Sequence, residues 1–175
     1  MLNQLADHVE ATDARVLVLT GAGKVFSAGA DLEDVRNGTL ATSDAWERLS
    51  SAIAGFDGLS VASLNGSCAG GAMGMMLACD LRVAVPSATF FYPVIKIGVL
   101  PQPSDPARLR DLVGPSVAKR ILLTGAKLTA EEALSAGLID QIAEGSVSDA
   151  TSALIGPALA APAAQITAIK ALIRA

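Results

Sequence analysis

Between Asn65 and Asp80 the chain runs Asn-Gly-Ser-Cys-Ala-Gly-Gly-Ala-Met-Gly-Met-Met-Leu-Ala-Cys-Asp, so residues with almost no side chain open an apolar stretch. The stretch predicts a helix from Gly71 to Cys79 that is buried rather than laid on a surface. The first N–H groups of a helix have no partner within it and sit at the positive end of its dipole. A start of this kind suits a carbonyl oxygen that is gaining negative charge. Glycine lets a ligand come that close to the backbone.

Around this segment helical and strand-like pieces alternate. Helices are predicted near Leu2 to Glu10 and Asp44 to Ala54, with strands over Arg15 to Leu19, Val61 to Leu64 and Leu81 to Val85. That order reads as α/β. Beyond Pro101 the pattern is mainly helical: Thr129-Ala130-Glu131-Glu132 forms a capping box, Gly137 a helix stop, Leu138 to Ile142 a short strand, and two helices flank Pro162. With 175 residues, 51% hydrophobic and 17% charged, the chain can bury a substantial core as one globular unit.

A net charge of −4 without runs of like charge argues against a nucleic-acid partner or a polybasic membrane patch. No signal peptide opens the chain, and the apolar run from Ala69 to Cys79 is far short of the ~20 residues a bilayer requires. A cytoplasmic protein that does not enter membranes is expected. Cys68 and Cys79 fall on one apolar element, which fits two inert thiols better than a disulfide or a zinc site. The sole histidine, His8, is remote from every glycine-rich segment, so neither a nucleophile-histidine triad nor a metal site is expected.

A second segment has similar character. After the strand ending at Thr20, Gly21-Ala22-Gly23-Lys24-Val25-Phe26-Ser27-Ala28-Gly29-Ala30-Asp31-Leu32 reads as a loop entering a short helix. Its Gly-Ala-Gly-Lys lacks the spacing of a phosphate-binding loop. Two loops that each present a backbone N–H make an oxyanion hole. Phe26 to Leu32 together with Asn65 to Asp80 resemble the paired signatures of the crotonase (enoyl-CoA hydratase/isomerase) superfamily. The resemblance continues through Pro93 to Pro101 and Leu123 to Asp140.

The resemblance implies a crotonase (ClpP-like) spiral of ββα units over residues 1–102, carrying the oxyanion hole, and a helical C-terminal region over 103–175. It implies a homotrimer or hexamer, a lyase or isomerase of fatty-acid-type metabolism, and a coenzyme A thioester as substrate or ligand with no other cofactor. The two oxyanion-hole amides fall on Ala30 and Gly71. The adenine would lie near Ser27, Ala28, Gly29 and Ala30, with Lys24 toward a phosphate; a solvated loop lysine is the alternative reading of Lys24. Relatives usually carry a strand hairpin before the position of Leu2 and further helices after that of Ala175, so either these residues are part of a longer chain or the protein is a short member, and the oligomer and the share of the coenzyme A site that those ends supply stay open.

One departure is consequential. The two glutamates that hydratases of this family use correspond to Gly74 and Val94, and neither can carry a proton. General acid-base help is typically worth 10²–10⁴-fold, or ~3–5 kcal/mol, so ordinary hydration is not expected. Tyr92, Lys96 and Asp105 are the acid-base candidates near the second signature. Against these stand plainer readings: a packed tyrosine with a bonded hydroxyl, a solvated or ion-paired lysine, and Ser104 with Asp105 as helix caps. Trp46 reads as a packing anchor. Three functions stay open: an enzyme that stabilises a thioester enolate through Ala30 and Gly71, a non-catalytic acyl-CoA-binding or carrier protein, and an enzyme relic kept for assembly that binds no coenzyme A.

Overall fold

The computed structural model describes residues 1–29 and 44–174. Helix α1 (Leu2–Ala11) turns Ala6 and Val9 inward. It lies on α2 (Ala45–Gly55), which buries Trp46, Leu49 and Ile53 at helical spacing. On the solvent side Arg48 reaches Asp7 and Glu10 at 2.6 and 2.7 Å, exposed pairs that add little to stability.

Four strands, β1 (Val16–Thr20), β2 (Leu59–Leu64), β4 (Leu81–Ala84) and β7 (Gln141–Ile142), form a parallel sheet in the order β1-β2-β4-β7. Five of the six residues of β2 are buried, as a central parallel strand covered on both faces requires. Alternation decides which face each residue serves. Ala62 and Leu64 point into the main core, whereas Val61 joins Val83, Ala143 and Ile155 beneath α7 (Val147–Ala160). Ser63, on the same face, accepts a 2.9 Å bond from the Thr151 hydroxyl of α7.

A second sheet orders β3 (Cys68–Ala69), β5 (Thr89–Phe91) and β6 (Lys127–Thr129), parallel between β3 and β5 and antiparallel between β5 and β6. Its register aligns Cys68, Phe90 and Leu128, and all three are fully buried. Between the sheets and α2 runs α3 (Ala72–Ala78), every residue of which is buried. This is the buried helix that the apolar run predicts, with Gly71 and Cys79 as its caps rather than its first and last residues.

Helix α4 (Val94–Ile97) is a single turn, and α5 (Asp105–Thr124) follows, bent at Gly114-Pro115 where the proline ring cannot continue the preceding turn. The capping box is present at α6 (Ala130–Ser135): Thr129 Oγ1 accepts from the Glu132 amide at 3.2 Å and Glu132 Oε2 from the Thr129 amide at 3.0 Å. The strand expected over Leu138 to Ile142 is only Gln141–Ile142. Leu138 and Ile139 instead donate back to the Ala133 carbonyl at 2.8 and 3.4 Å, closing α6.

The final helix, α8 (Ala163–Arg174), is tied down by one ammonium. Lys170 Nζ donates to the carbonyls of Phe56 and Gly58 at 2.7 and 2.8 Å and to Asp80 Oδ2 at 2.6 Å. The same Asp80 oxygen accepts from the Ser60 amide and hydroxyl. No single described helix is long and apolar enough to cross a bilayer.

Candidate active site

The two glycine-rich segments meet. Phe26 and Ser27 donate their amides to the Ser67 carbonyl at 3.1 and 3.2 Å, and Ala69 donates to Ser27 at 3.0 Å, so residues 26–27 run alongside β3. Asn65 staples the turn before them: its Oδ1 accepts from the Gly21 amide at 3.0 Å and its Nδ2 donates to the Gly23 carbonyl at 3.0 Å. Approach this close needs missing side chains. A Cβ on Gly66 would lie 2.2 Å from the Lys24 carbonyl oxygen, and one on Gly29, whose φ is +90°, would lie 2.8 Å from that of Ala69.

Beyond this seam Gly70 donates to Phe91 of β5 at 3.1 Å, and Gly71 caps α3 in helical conformation. Gly71 is half-buried. Among the described residues nothing accepts from its N–H. The Trp46 indole lies flat behind it, 3.0–3.3 Å from where a Cβ would stand, which makes Trp46 a packing anchor that fixes this backbone. Ala30 lies outside the described residues. Lys24 and Ala28 are exposed, and the Ser27 hydroxyl accepts from the Gly29 amide at 3.2 Å.

One turn along α3, Gly74 touches a carboxylate from another helix. A Cβ there would lie 2.6 and 2.8 Å from Asp105 Oδ1 and Oδ2. Asp105 is 1% exposed at the start of α5. Tyr92 donates its hydroxyl to Oδ2 at 2.8 Å, and that hydroxyl accepts from the Gln102 amide at 3.2 Å. Oδ1 has no hydrogen-bond partner among the described residues; the Arg108 guanidinium stands 3.8 Å away. Burial pushes the Asp105 carboxyl up to about 6, against the opposing pull of the Tyr92 hydrogen bond and Arg108 and with help from the Glu47 charge. Burial and the Asp105 charge hold the Tyr92 phenol well above its usual range.

The surrounding polar groups are committed elsewhere. Glu47 takes the Ser104 hydroxyl on Oε1 and the Ser104 amide at 3.2 Å on Oε2. Burial would raise the Glu47 carboxyl, but these Ser104 bonds and Arg108 outweigh it and leave it lowered. Arg108 donates to the Ser50 hydroxyl at 2.8 Å. Ser104 therefore occupies the cap position without capping: its hydroxyl goes to Glu47 and not to the helix, and Asp105 faces inward to Tyr92. Nothing in the sequence signals the Glu47–Ser104 or Arg108–Ser50 contacts.

Lys96 is not part of this group. Exposed, and without an ion pair among the described residues, it donates to the Gly125 carbonyl at 2.9 Å, at the far end of α5. Val94 opens α4 as a buried residue. Both thiols are buried and pushed up by burial, that of Cys79 to about 12. His8 sits on α1 with Nδ1 2.6 Å from the Gln4 carbonyl oxygen. Tyr92 and Asp105 are thus the two acid-base candidates that the fold brings together, beside Gly74.

The chain is similar in sequence and in fold to known proteins. A family model described as enoyl-CoA hydratase/isomerase matches residues 1–175. The chain is 34% identical over 148 residues to the 2,3-dehydroadipyl-CoA hydratase of Escherichia coli, covering 81% of this chain and 58% of that protein. It is 42% identical over 140 residues to the mevalonyl-coenzyme A hydratase SIDH of Beauveria bassiana, covering 73% and 50% respectively. The chain thus spans between half and two thirds of the length of the curated relatives it matches. Among solved structures, DspI of Pseudomonas aeruginosa superposes with a TM-score of 0.88 at 34% identity, over 99% of this chain and 69% of that one.

Proposed function

The chain belongs to the enoyl-CoA hydratase/isomerase family, and from that premise we propose that it binds acyl thioesters of coenzyme A and stabilises the thioester enolate through the Gly71 N–H. The observation that carries this reading is the half-buried Gly71 amide at the junction of the two loops, for which the described residues supply no acceptor. A thioester carbonyl would satisfy it, and the bond would strengthen as charge moves onto the oxygen. Ala30 would supply the second donor, with Lys24, Ser27 and Ala28 along the nucleotide. Hydration by a pair of glutamates is not the reaction proposed, because Gly74 and Val94 offer no carboxylate. Those same two residues favour the second reading, an acyl-CoA carrier that does not turn its ligand over.

A backbone donor can be deleted by proline. Gly71 has φ −57°, close to the value a proline ring imposes, so Gly71→Pro removes the N–H, whereas Gly71→Ala adds the same Cβ against Trp46 and keeps it. Calorimetric titration with butyryl-CoA and crotonyl-CoA should show Gly71→Pro binding ~10-fold more weakly than Gly71→Ala, the scale of one lost hydrogen bond. Equal affinities would remove the oxyanion assignment. Mass spectrometry of the same mixtures made up in D2O separates an enzyme, which exchanges deuterium into the acyl chain, from a carrier, which does not.

A further inference from the structure

We propose that Asp105, reaching in from α5, is the proton carrier of this site, a single carboxylate that serves where the chain has glycine on α3. The inference rests on the acyl-thioester reading. Buried polar atoms almost always have hydrogen-bond partners, yet Oδ1 of Asp105 has none among the described residues, with the Arg108 guanidinium 3.8 Å away, while Oδ2 is held by Tyr92. One oxygen is anchored and the other is left able to act.

Position supports the role. Oδ1 would lie 2.6 Å from a Cβ at residue 74, so any side chain there would displace the carboxylate, and glycine at 74 is the condition for Asp105 to stand where it does. Gly71 and Gly74 are one turn apart, ~4.5 Å along the helix axis. That separation suits a thioester whose carbonyl oxygen rests on the Gly71 N–H and whose α- or γ-carbon turns toward Oδ1.

A carboxyl titrating near 6 is more basic than an ordinary aspartate and still ionised at neutral pH. The alternatives are occupied: Lys96 by the Gly125 carbonyl and Glu47 by Ser104.

One carboxylate supports one-base chemistry. Oδ1 takes a proton from the α-carbon, the C–H pair becomes the enolate, and the negative charge rests on the thioester oxygen at Gly71. Return of the proton to the α-carbon gives exchange. With a β,γ-unsaturated acyl group, return to the γ-carbon moves the double bond into conjugation. No oxidant or added water is consumed, and the carboxylate is regenerated. Tyr92 acts as a positioning residue by fixing Oδ2.

The test uses 3-butenoyl-CoA in D2O over pH 5–8, with deuterium incorporation and crotonyl-CoA formation followed by mass spectrometry and binding measured by calorimetry. Incorporation by the parent protein should rise through an inflection near pH 6. Asp105→Asn should bind within about threefold of the parent and lose at least ~10²-fold in exchange. Tyr92→Phe should keep exchange with its inflection moved to higher pH, because a hydrogen bond favouring the carboxylate is gone; a merely structural tyrosine would leave the inflection in place. Parental exchange by Asp105→Asn, or binding by the parent without exchange, would overturn the role of Asp105 and leave the acyl-CoA site standing. Failure of the parent to bind the thioester would instead overturn the acyl-CoA reading, and this inference with it.

Discussion

Replacing Asp105 with asparagine should make the protein more stable, and only above a defined pH. The carboxyl is raised from 3.8 to about 6, which corresponds to ~3 kcal/mol held against its ionised form. For a carboxyl raised on folding, the folded state holds more protons than the unfolded between the two values, so stability falls as pH climbs from about 4 to about 6 and then levels. An asparagine carries no such penalty at any pH. Its carbonyl can accept the Tyr92 hydroxyl, while its amide replaces an unpartnered acceptor with an unpartnered donor and forfeits the attraction of Arg108 3.8 Å away. We therefore expect Asp105→Asn to match the parent near pH 4 and to exceed it by about 1–3 kcal/mol at pH 7.5. For a chain of this size each kcal/mol corresponds to ~2–4 °C in Tm. Urea denaturation of both proteins at the two pH values gives the comparison. A stability difference that does not grow between pH 4 and 7.5 would refute the reasoning, because a desolvated carboxylate must titrate in that window.

Gly74→Glu should cost more than ~2 kcal/mol, since its Cβ would stand 2.6 Å from Asp105 Oδ1 and bring a second carboxylate beside the first; adding Asp105→Gly should recover most of the loss, and an additive double-mutant cycle would contradict that contact. Lys170→Ala removes one ammonium from three acceptors and should cost about 2–3 kcal/mol, with hydrogen exchange rising first over residues 163–174; unchanged protection there would mean α8 is held by something else.

What could be read from the sequence is what is local. Helices α1, α2 and α3 and strands β1, β2 and β4 follow from periodicity over neighbouring residues, and the capping box at Thr129 from four consecutive letters. The second sheet was not legible. Its strands are two or three residues long and exist through register between Cys68, Phe90 and Leu128, segments far apart in the chain. The site divides in the same way. The glycines that present backbone are visible in sequence because the absence of a side chain is itself the signal, whereas Asp105 appears only as one of three candidates beside Tyr92 and Lys96, of which Lys96 is occupied at the Gly125 carbonyl and Tyr92 serves Asp105 itself. That its carboxylate lands on Gly74 depends on how α5 crosses α3. The signal that was available is the glycine: an empty position on a buried helix must be filled from elsewhere.

The clamp between Lys170 and Asp80 carries a consequence for the order in which the protein can be completed on the ribosome. Ninety residues separate the two groups, and at ~5–20 residues per second they emerge roughly 5–20 s apart. By the time Ala84 is made, β1, β2 and β4 can already pair, yet the outer edge of β4 has no β7 and the Val61 and Val83 side chains have no α7. For that interval the nascent chain displays an open strand edge and an uncovered apolar sheet face, the kind of surface chaperones hold.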